Sequence, residues 1–213
     1  MQYRILGKTG LKVSAVGFGG IPIQRIDARG TRALMERLVE KGVNYIDTAR
    51  GYTVSESYLG EALSGGLREK FILATKSMSR GYADMARDIG ISLSNLYQLH
   101  NIKSDADFEL AFSAEGAVAA IQDAIRAGKV GHLGATAHSV DSFERLLSYP
   151  EIETIMFPYN IVESQGEALM ERAAAQNVGV IAMKPLAGGN ITDGTLAMRY
   201  ILQNKTCTLA IPG

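Results

Sequence analysis

Four side chains in this sequence have the types and the places that proton and hydride chemistry needs. Asp47 closes the run Val43-Asn44-Tyr45-Ile46, and Tyr52 follows five residues later in the turn Asp47-Thr48-Ala49-Arg50-Gly51-Tyr52. The run Phe71-Ile72-Leu73-Ala74-Thr75 delivers Lys76, and Leu96-Tyr97-Gln98-Leu99 delivers His100. An unperturbed phenol has a pKa of roughly 10 and gives up its proton poorly. An ammonium beside it stabilises the phenolate, and a carboxylate holds that ammonium in place and charged. An imidazole can orient a carbonyl and share in delivering the proton. The set suits carbonyl reduction, in which hydride reaches carbon while Tyr52 protonates oxygen. Each residue also has an ordinary role: a packed tyrosine ring, a snorkelling lysine, a core histidine, a carboxylate capping the helix near Ser55. Their joint placement favours the chemical role.

Those placements depend on a helix–turn–strand rhythm. Thr31 is expected to cap a helix that carries Leu34, Met35, Leu38 and Val39 on one face, ends at Gly42 and leads into a strand over 43–47. A second unit starts near Ser113, buries Val118, Ile121 and Ile125, stops at Gly128 and continues as a strand over 130–135. A third has its helix over 163–176, its turn at Asn177 and its strand over 178–183. Strands over 13–18, 71–75, 96–100, 154–157 and 207–211 bring the number to eight. Alternating helices and short apolar strands imply a parallel sheet covered by helices. Gly17-Phe18-Gly19-Gly20-Ile21-Pro22 puts proline where the third glycine of an open dinucleotide-binding sheet belongs, and no helix opens there. A closed (β/α)8 barrel, one domain over 1–213, is therefore expected. Asp47, Lys76, His100, His138, Asn160 and Lys184 all fall at or just past strand C-terminal ends, which in a barrel converge on one mouth.

The 213 residues are 46% hydrophobic with a formal net charge of zero, a balance that gives no reason to expect nucleic acid or an anionic membrane as partner. No apolar stretch approaches the ~18 residues of a membrane span, and Met1-Gln2-Tyr3-Arg4 lacks the character of a signal peptide. Cys207 is the single cysteine, so an internal disulfide, a four-thiolate zinc site or an iron–sulfur cluster is not expected. A reducing cytoplasm and no metal are the default expectations.

The opening Tyr3-Arg4-Ile5-Leu6-Gly7-Lys8-Thr9-Gly10-Leu11-Lys12-Val13-Ser14 and the following Gly17-Phe18-Gly19-Gly20 resemble the start of an aldo-keto reductase, where a short hairpin closes the barrel floor. Asp47-Thr48-Ala49-Arg50-Gly51-Tyr52, Ala74-Thr75-Lys76-Ser77 and Leu96-Tyr97-Gln98-Leu99-His100-Asn101 match that family's catalytic segments in order. Gly134-Ala135-Thr136-Ala137-His138-Ser139, Met183-Lys184-Pro185-Leu186-Ala187-Gly188-Gly189 and Ala210-Ile211-Pro212-Gly213 extend the resemblance over the whole chain. It is closest to the prokaryotic branch with a ferredoxin-like iron–sulfur tail, a tail absent from these residues. The resemblance implies NADPH or NADH across the barrel mouth, its nicotinamide beside Tyr52, and a small-molecule carbonyl substrate. It places Thr136, His138, Asn160, Lys184, Pro185 and Leu186 around the cofactor. Thr136, Ala137 and Met156 stand where the family usually holds the carboxamide, and Met183 where a tyrosine usually stacks on the ring.

Two departures shape further expectations. The sequence stops at Gly213, before the segment that grips the 2′-phosphate and before the last covering helix, against ~250 residues in a typical barrel. Weak NADP(H) binding is expected, together with an exposed flank at Leu209 and Ile211 that invites a partner or a second copy. The stretch before His100 is also short, which leaves open a clipped strand, a shortened helix or lost residues. Beside a working reductase, a catalytically weak relative serving as a binding or regulatory subunit, and a fragment of a longer enzyme, stay open.

Overall fold

The computed structural model describes residues 1–213, and its centre is the expected parallel barrel. The strands after the N-terminal hairpin are β3 (Phe18–Gly19), β4 (Tyr45–Asp47), β5 (Ile72–Ser77), β6 (Ser94–Leu99), β7 (Val130–Thr136), β8 (Thr154–Pro158), β9 (Gly179–Met183) and β10 (Leu209–Ala210). They pair side by side in chain order as one 8-stranded sheet. Backbone bonds from Gly17 N to Ala210 O (2.8 Å), Ala210 N to Ala15 O (3.0 Å) and Gly19 N to Pro212 O (2.8 Å) join the first strand to the last. Around the sheet lie α1 (Ala28–Glu40), α2 (Ser55–Ala62), α3 (Tyr82–Ile91), α4 (Asp105–Ala111), α5 (Ala117–Arg126), α6 (Val140–Leu146), α7 (Glu167–Ala175) and α8 (Gly194–Gln203). None is long and apolar enough to cross a membrane.

The hairpin of β1 (Tyr3–Ile5) and β2 (Lys12–Ser14) closes the floor. Its Leu6 and Val13 pack in one buried cluster with Tyr45, Ala74, Leu96, Met156, Ile181, Leu209 and Ile211. Because strand side chains alternate, this apolar layer sets what lies above it. Tyr45, Ala74 and Leu96 face the lumen, so Asp47, Lys76 and Gln98, each two residues on, face it one layer nearer the mouth. A helix-covered cluster of 32 buried residues lies outside the strands from β6 onward, and a smaller one lies under α1 and α2.

Several sequence expectations are corrected. The run over 13–18 is not one strand. Val13 and Ser14 pair with the hairpin, Ala15 N still bonds Gln2 O at 2.8 Å, and the chain then changes partner to β10. Thr31 does not cap α1: Asp27 does, its carboxylate accepting from Gly30 N at 2.7 Å, while the Thr31 hydroxyl donates to the Asp27 carbonyl at 2.9 Å inside the helix. Leu209 and Ile211 are not an exposed flank. They point into the lumen, 0% and 7% exposed, while the outward Ala210 is also fully buried. The Arg4 guanidinium crosses toward this edge, donating to Cys207 O at 2.6 Å and Leu202 O at 2.8 Å.

The short stretch before His100 is absorbed by the helix and its loop. Only Ser92 and Leu93 separate α3 from β6, and β6 keeps its six residues, with Leu96 to Leu99 in register with both neighbours and Leu99 opposite Ser77 and Ala135. His100 N then bonds Ser77 O at 2.9 Å, so the histidine reaches the mouth.

Candidate active site

Lys76 projects from β5 into the lumen and is 1% exposed. Its ammonium donates to Asp47 Oδ2 at 2.6 Å, to the Thr48 carbonyl at 2.6 Å and to Tyr52 Oη at 3.3 Å. A buried ammonium requires this degree of compensation, since isolated charge is very costly out of water. Gln98 donates from Nε2 to the other Asp47 oxygen at 3.2 Å and fixes the carboxylate plane. The Tyr52 and His100 rings meet edge to face, 5.8 Å between centroids at 85°. Asp47, Tyr52, Lys76 and His100 all line one cavity of about 580 Å³ at the C-terminal ends of the strands, a volume within the range of small-molecule sites.

Burial tunes the titrating groups. The Asp47 carboxyl lies above its ordinary value because it is desolvated, with Lys76 and Gln98 pulling it down less strongly. Burial likewise raises the Tyr52 phenol, the Lys76 ammonium opposing, so the hydroxyl carries its proton through the neutral range. His100 is pushed down to about 4, first by burial and then by Lys76, His138 and Arg80. The imidazole is thus neutral at working pH, and its buried Nδ1 has no hydrogen-bond partner.

This depressed imidazole has a stability consequence. The unfolded chain takes up the proton below pH 6.5 while the folded one resists until about 4. Stability is therefore lost as pH falls through that window, and His138, also lowered by burial, acts in the same direction. In His100→Gln the thermal midpoint should fall less steeply between neutrality and about pH 5 than in the parent. Parallel curves for the two proteins would contradict this.

The residues expected around a cofactor separate into two groups. Thr136, His138, Lys184, Pro185 and Leu186 line the same cavity as the four catalytic candidates. The Thr136 hydroxyl accepts from Asn101 N at 2.6 Å and so also holds the turn after His100. Asn160 is elsewhere engaged. Its Nδ2 donates to Glu163 Oε2 (2.6 Å) and Lys184 O (3.0 Å), and its Oδ1 accepts from Val162 N and Glu163 N (both 3.0 Å). It shapes the loop under Lys184 and does not line the cavity. Ala137 is wholly buried, whereas Met156 and Met183 do line it.

Sequence inspection missed Gln98, although it sits two residues before His100 on the same face of β6, as a buried polar side chain would. It also missed Arg25, which lines the cavity from the turn after β3. Nothing in the spacing marks that position. Ala187, Gly188 and Gly189 take φ of 48°, 69° and 100°, and both glycines line the same cavity with open space where a Cβ would be. The Ala187 and Gly189 amides bond the Lys184 and Leu186 carbonyls at 2.9 and 2.8 Å, which leaves the Gly188 amide as the one of the three open to an anion. Together with the Lys184 ammonium, that amide suits a phosphate group.

Comparison with known proteins points the same way. The sequence profile of the Aldo/keto reductase family matches residues 15–208. The oxidoreductase YrpG of Bacillus subtilis, itself uncharacterized, is 28% identical over 89% of this chain and 68% of its own length. L-Galactose dehydrogenase of Arabidopsis thaliana is 26% identical over 91% of this chain and 68% of its own. PA4992 of Pseudomonas aeruginosa, described as an aldo-keto reductase, superposes with a TM-score of 0.87 at 27% identity, covering 99% of this chain and 88% of that one.

Proposed function

Because this chain belongs to the aldo/keto reductase family of oxidoreductases, we propose that it reduces small aldehydes, ketones or quinones to alcohols with NADPH or NADH, with Tyr52 as proton donor. The observation that carries this is the single buried ammonium of Lys76, shared between Asp47 and the Tyr52 hydroxyl at the barrel mouth. A bound reduced nicotinamide supplies the hydride. The substrate oxygen gains the phenolic proton as the carbonyl π bond breaks, and the C–H and O–H bonds of the alcohol form. Lys76 stabilises the phenolate left on Tyr52, and Asp47 keeps that ammonium in place. Neutral His100, held edge-on to Tyr52, orients the carbonyl. Thr136 offers a hydroxyl to the carboxamide, and Lys184 and Arg25 with the Gly188 amide receive the diphosphate. We place the protein in a reducing cytoplasm, where its lone buried Cys207 stays a thiol.

Oxidation of NADPH and of NADH, followed by absorbance over a panel of these carbonyl compounds, tests the proposal. Carbonyl-dependent oxidation is expected, and binding of neither nucleotide would leave a non-catalytic barrel as the better description. Cofactor choice follows from the cavity's cations. Lys76 is paired with Asp47, while Arg25 and Lys184 form no ion pair. A diphosphate engages these two, leaving the 2′-phosphate without a charge-assisted bond worth roughly 1.5–3 kcal/mol. Isothermal titration should therefore give weak binding, with NADPH and NADH dissociation constants within about tenfold of each other. Micromolar NADPH binding with clear preference would show another group gripping that phosphate.

A further inference from the structure

We propose that Arg50, with Glu56 and Asp88, forms a clamp on the outside of the barrel that sets the separation of Tyr52 from Lys76, making Arg50 a positioning residue for proton transfer. The inference rests on the reading of Tyr52 as proton donor. Along β5 the side chains alternate, so Lys76 enters the lumen while its neighbours Thr75 and Ser77 face outward. Each neighbour is held by a carboxylate: Thr75 Oγ1 donates to Glu56 Oε1 at 2.5 Å, and Ser77 Oγ donates to Asp88 Oδ2 at 2.5 Å. Arg50 bonds the first carboxylate, Nη1 2.6 Å from Glu56 Oε2, while its Nε faces Asp88 Oδ1 at 4.0 Å, a charge contact beyond hydrogen-bond range. Its own backbone N–H donates to the Lys76 carbonyl at 2.9 Å. The residue two before Tyr52 is thus tied to positions 75 and 76 by hydrogen bonds, and to the carboxylate that holds 77 by charge alone. Glu56 also accepts from Ser92 Oγ at 2.8 Å, which anchors the short α3–β6 link to the same group.

Distances decide which catalytic contact depends on this clamp. The Lys76–Asp47 pair at 2.6 Å and the Lys76–Thr48 bond at 2.6 Å tolerate small movements. The Lys76–Tyr52 contact, 3.3 Å, is already near the outer limit of a hydrogen bond. A drift of about half an ångström in the turn would break it and spare the others. The charge attraction of an ion pair on the outside of the barrel, 31% and 17% exposed here, adds modestly to stability. The effect expected here is on geometry, where a misplacement of ~1 Å can lower rate by about 10²-fold.

Arg50→Met should lower kcat about 10- to 100-fold while KM for the nicotinamide nucleotide stays within about threefold. Arg50 and Glu56 line a cavity of about 520 Å³ between α2 and α3, so added guanidinium ion should restore part of the lost rate. In a Tyr52→Phe background, Arg50→Met should change nothing further, because Arg50 acts through that tyrosine. Should Arg50→Met fail to fold, Glu56→Gln keeps the acceptor for Thr75 and removes the ion pair together with the acceptor for Ser92, with the same expectations. Parent-like kcat in a folded variant, or an additive loss on top of Tyr52→Phe, would overturn the proposal. If the parent reduces no carbonyl, the functional reading fails, and the clamp is judged on NMR titration of ζ-13C-labelled Tyr52. Its phenol should titrate higher in Arg50→Met as Lys76 loses its hold, and an unchanged titration would overturn the clamp itself.

Discussion

Tyr52→Phe should remove at least about 100-fold of kcat for any carbonyl that the parent reduces, since a positioned general acid typically contributes 10²–10⁴-fold. The substitution deletes one oxygen and keeps the ring that packs on His100, so the cavity retains its shape. Its contact with Lys76 is the longest of that ammonium's three, and the ammonium keeps Asp47 and the Thr48 carbonyl. The fold should therefore lose no more than about 1 kcal/mol, the net worth of one ordinary hydrogen bond. Nucleotide affinity should stay within a few-fold. His100 cannot substitute as the acid, because an imidazole held down to about 4 carries no spare proton at neutral pH. Single-turnover rates with saturating nucleotide separate the chemical step from release. A variant within tenfold of the parent would mean that the proton reaches the substrate from water or through His100.

How much of this was legible in sequence depended on whether a residue's role is set locally. The barrel was, because each helix, turn and strand repeats within a short window. Asp47, Lys76 and His100 were, because a polar residue that ends an apolar strand stands out against it. Tyr52 followed from its spacing to Asp47. What escaped was set by partners distant in the chain. The run over 13–18 looks like one strand, and only tertiary pairing shows it serving the hairpin first and β10 second. Leu209 and Ile211 looked like an uncovered flank because sequence does not say which face of β10 turns inward. Asn160 at a strand end looked like a ligand for the cofactor, yet Glu163, Val162 and Lys184 occupy its polar atoms. Arg50, Glu56 and Asp88 carried no signal at all. Each is an ordinary charge on a turn or helix until β5 places Thr75 and Ser77 between them.

The buried ion pair itself supplies the largest stability effect. Asp47 and Lys76 are 2% and 1% exposed, and only Gln98 otherwise reaches the carboxylate. Lys76→Met fills a similar space but leaves the Asp47 carboxylate desolvated without its counter-charge. Removing one partner of such a pair typically costs about 3–5 kcal/mol, and activity should vanish with the ammonium. The sign of the pH dependence distinguishes this from a packing defect. Burial already holds the Asp47 carboxyl above its ordinary 3.8, and Lys76 is the strongest influence opposing that shift. Without Lys76 the folded-state value rises further, so the folded variant binds a proton that the unfolded chain does not. Its stability should recover as pH falls from the raised value toward about 4, narrowing the gap to the parent. Asp47→Asn combined with Lys76→Met deletes both charges, and it should regain most of the loss at neutral pH while remaining inactive. Urea unfolding midpoints for the parent, the single variant and the double variant, measured at neutral pH and near pH 5, provide the test. A double variant no more stable than Lys76→Met would show that lost packing around the lysine stem, not the stranded carboxylate, accounts for the destabilisation.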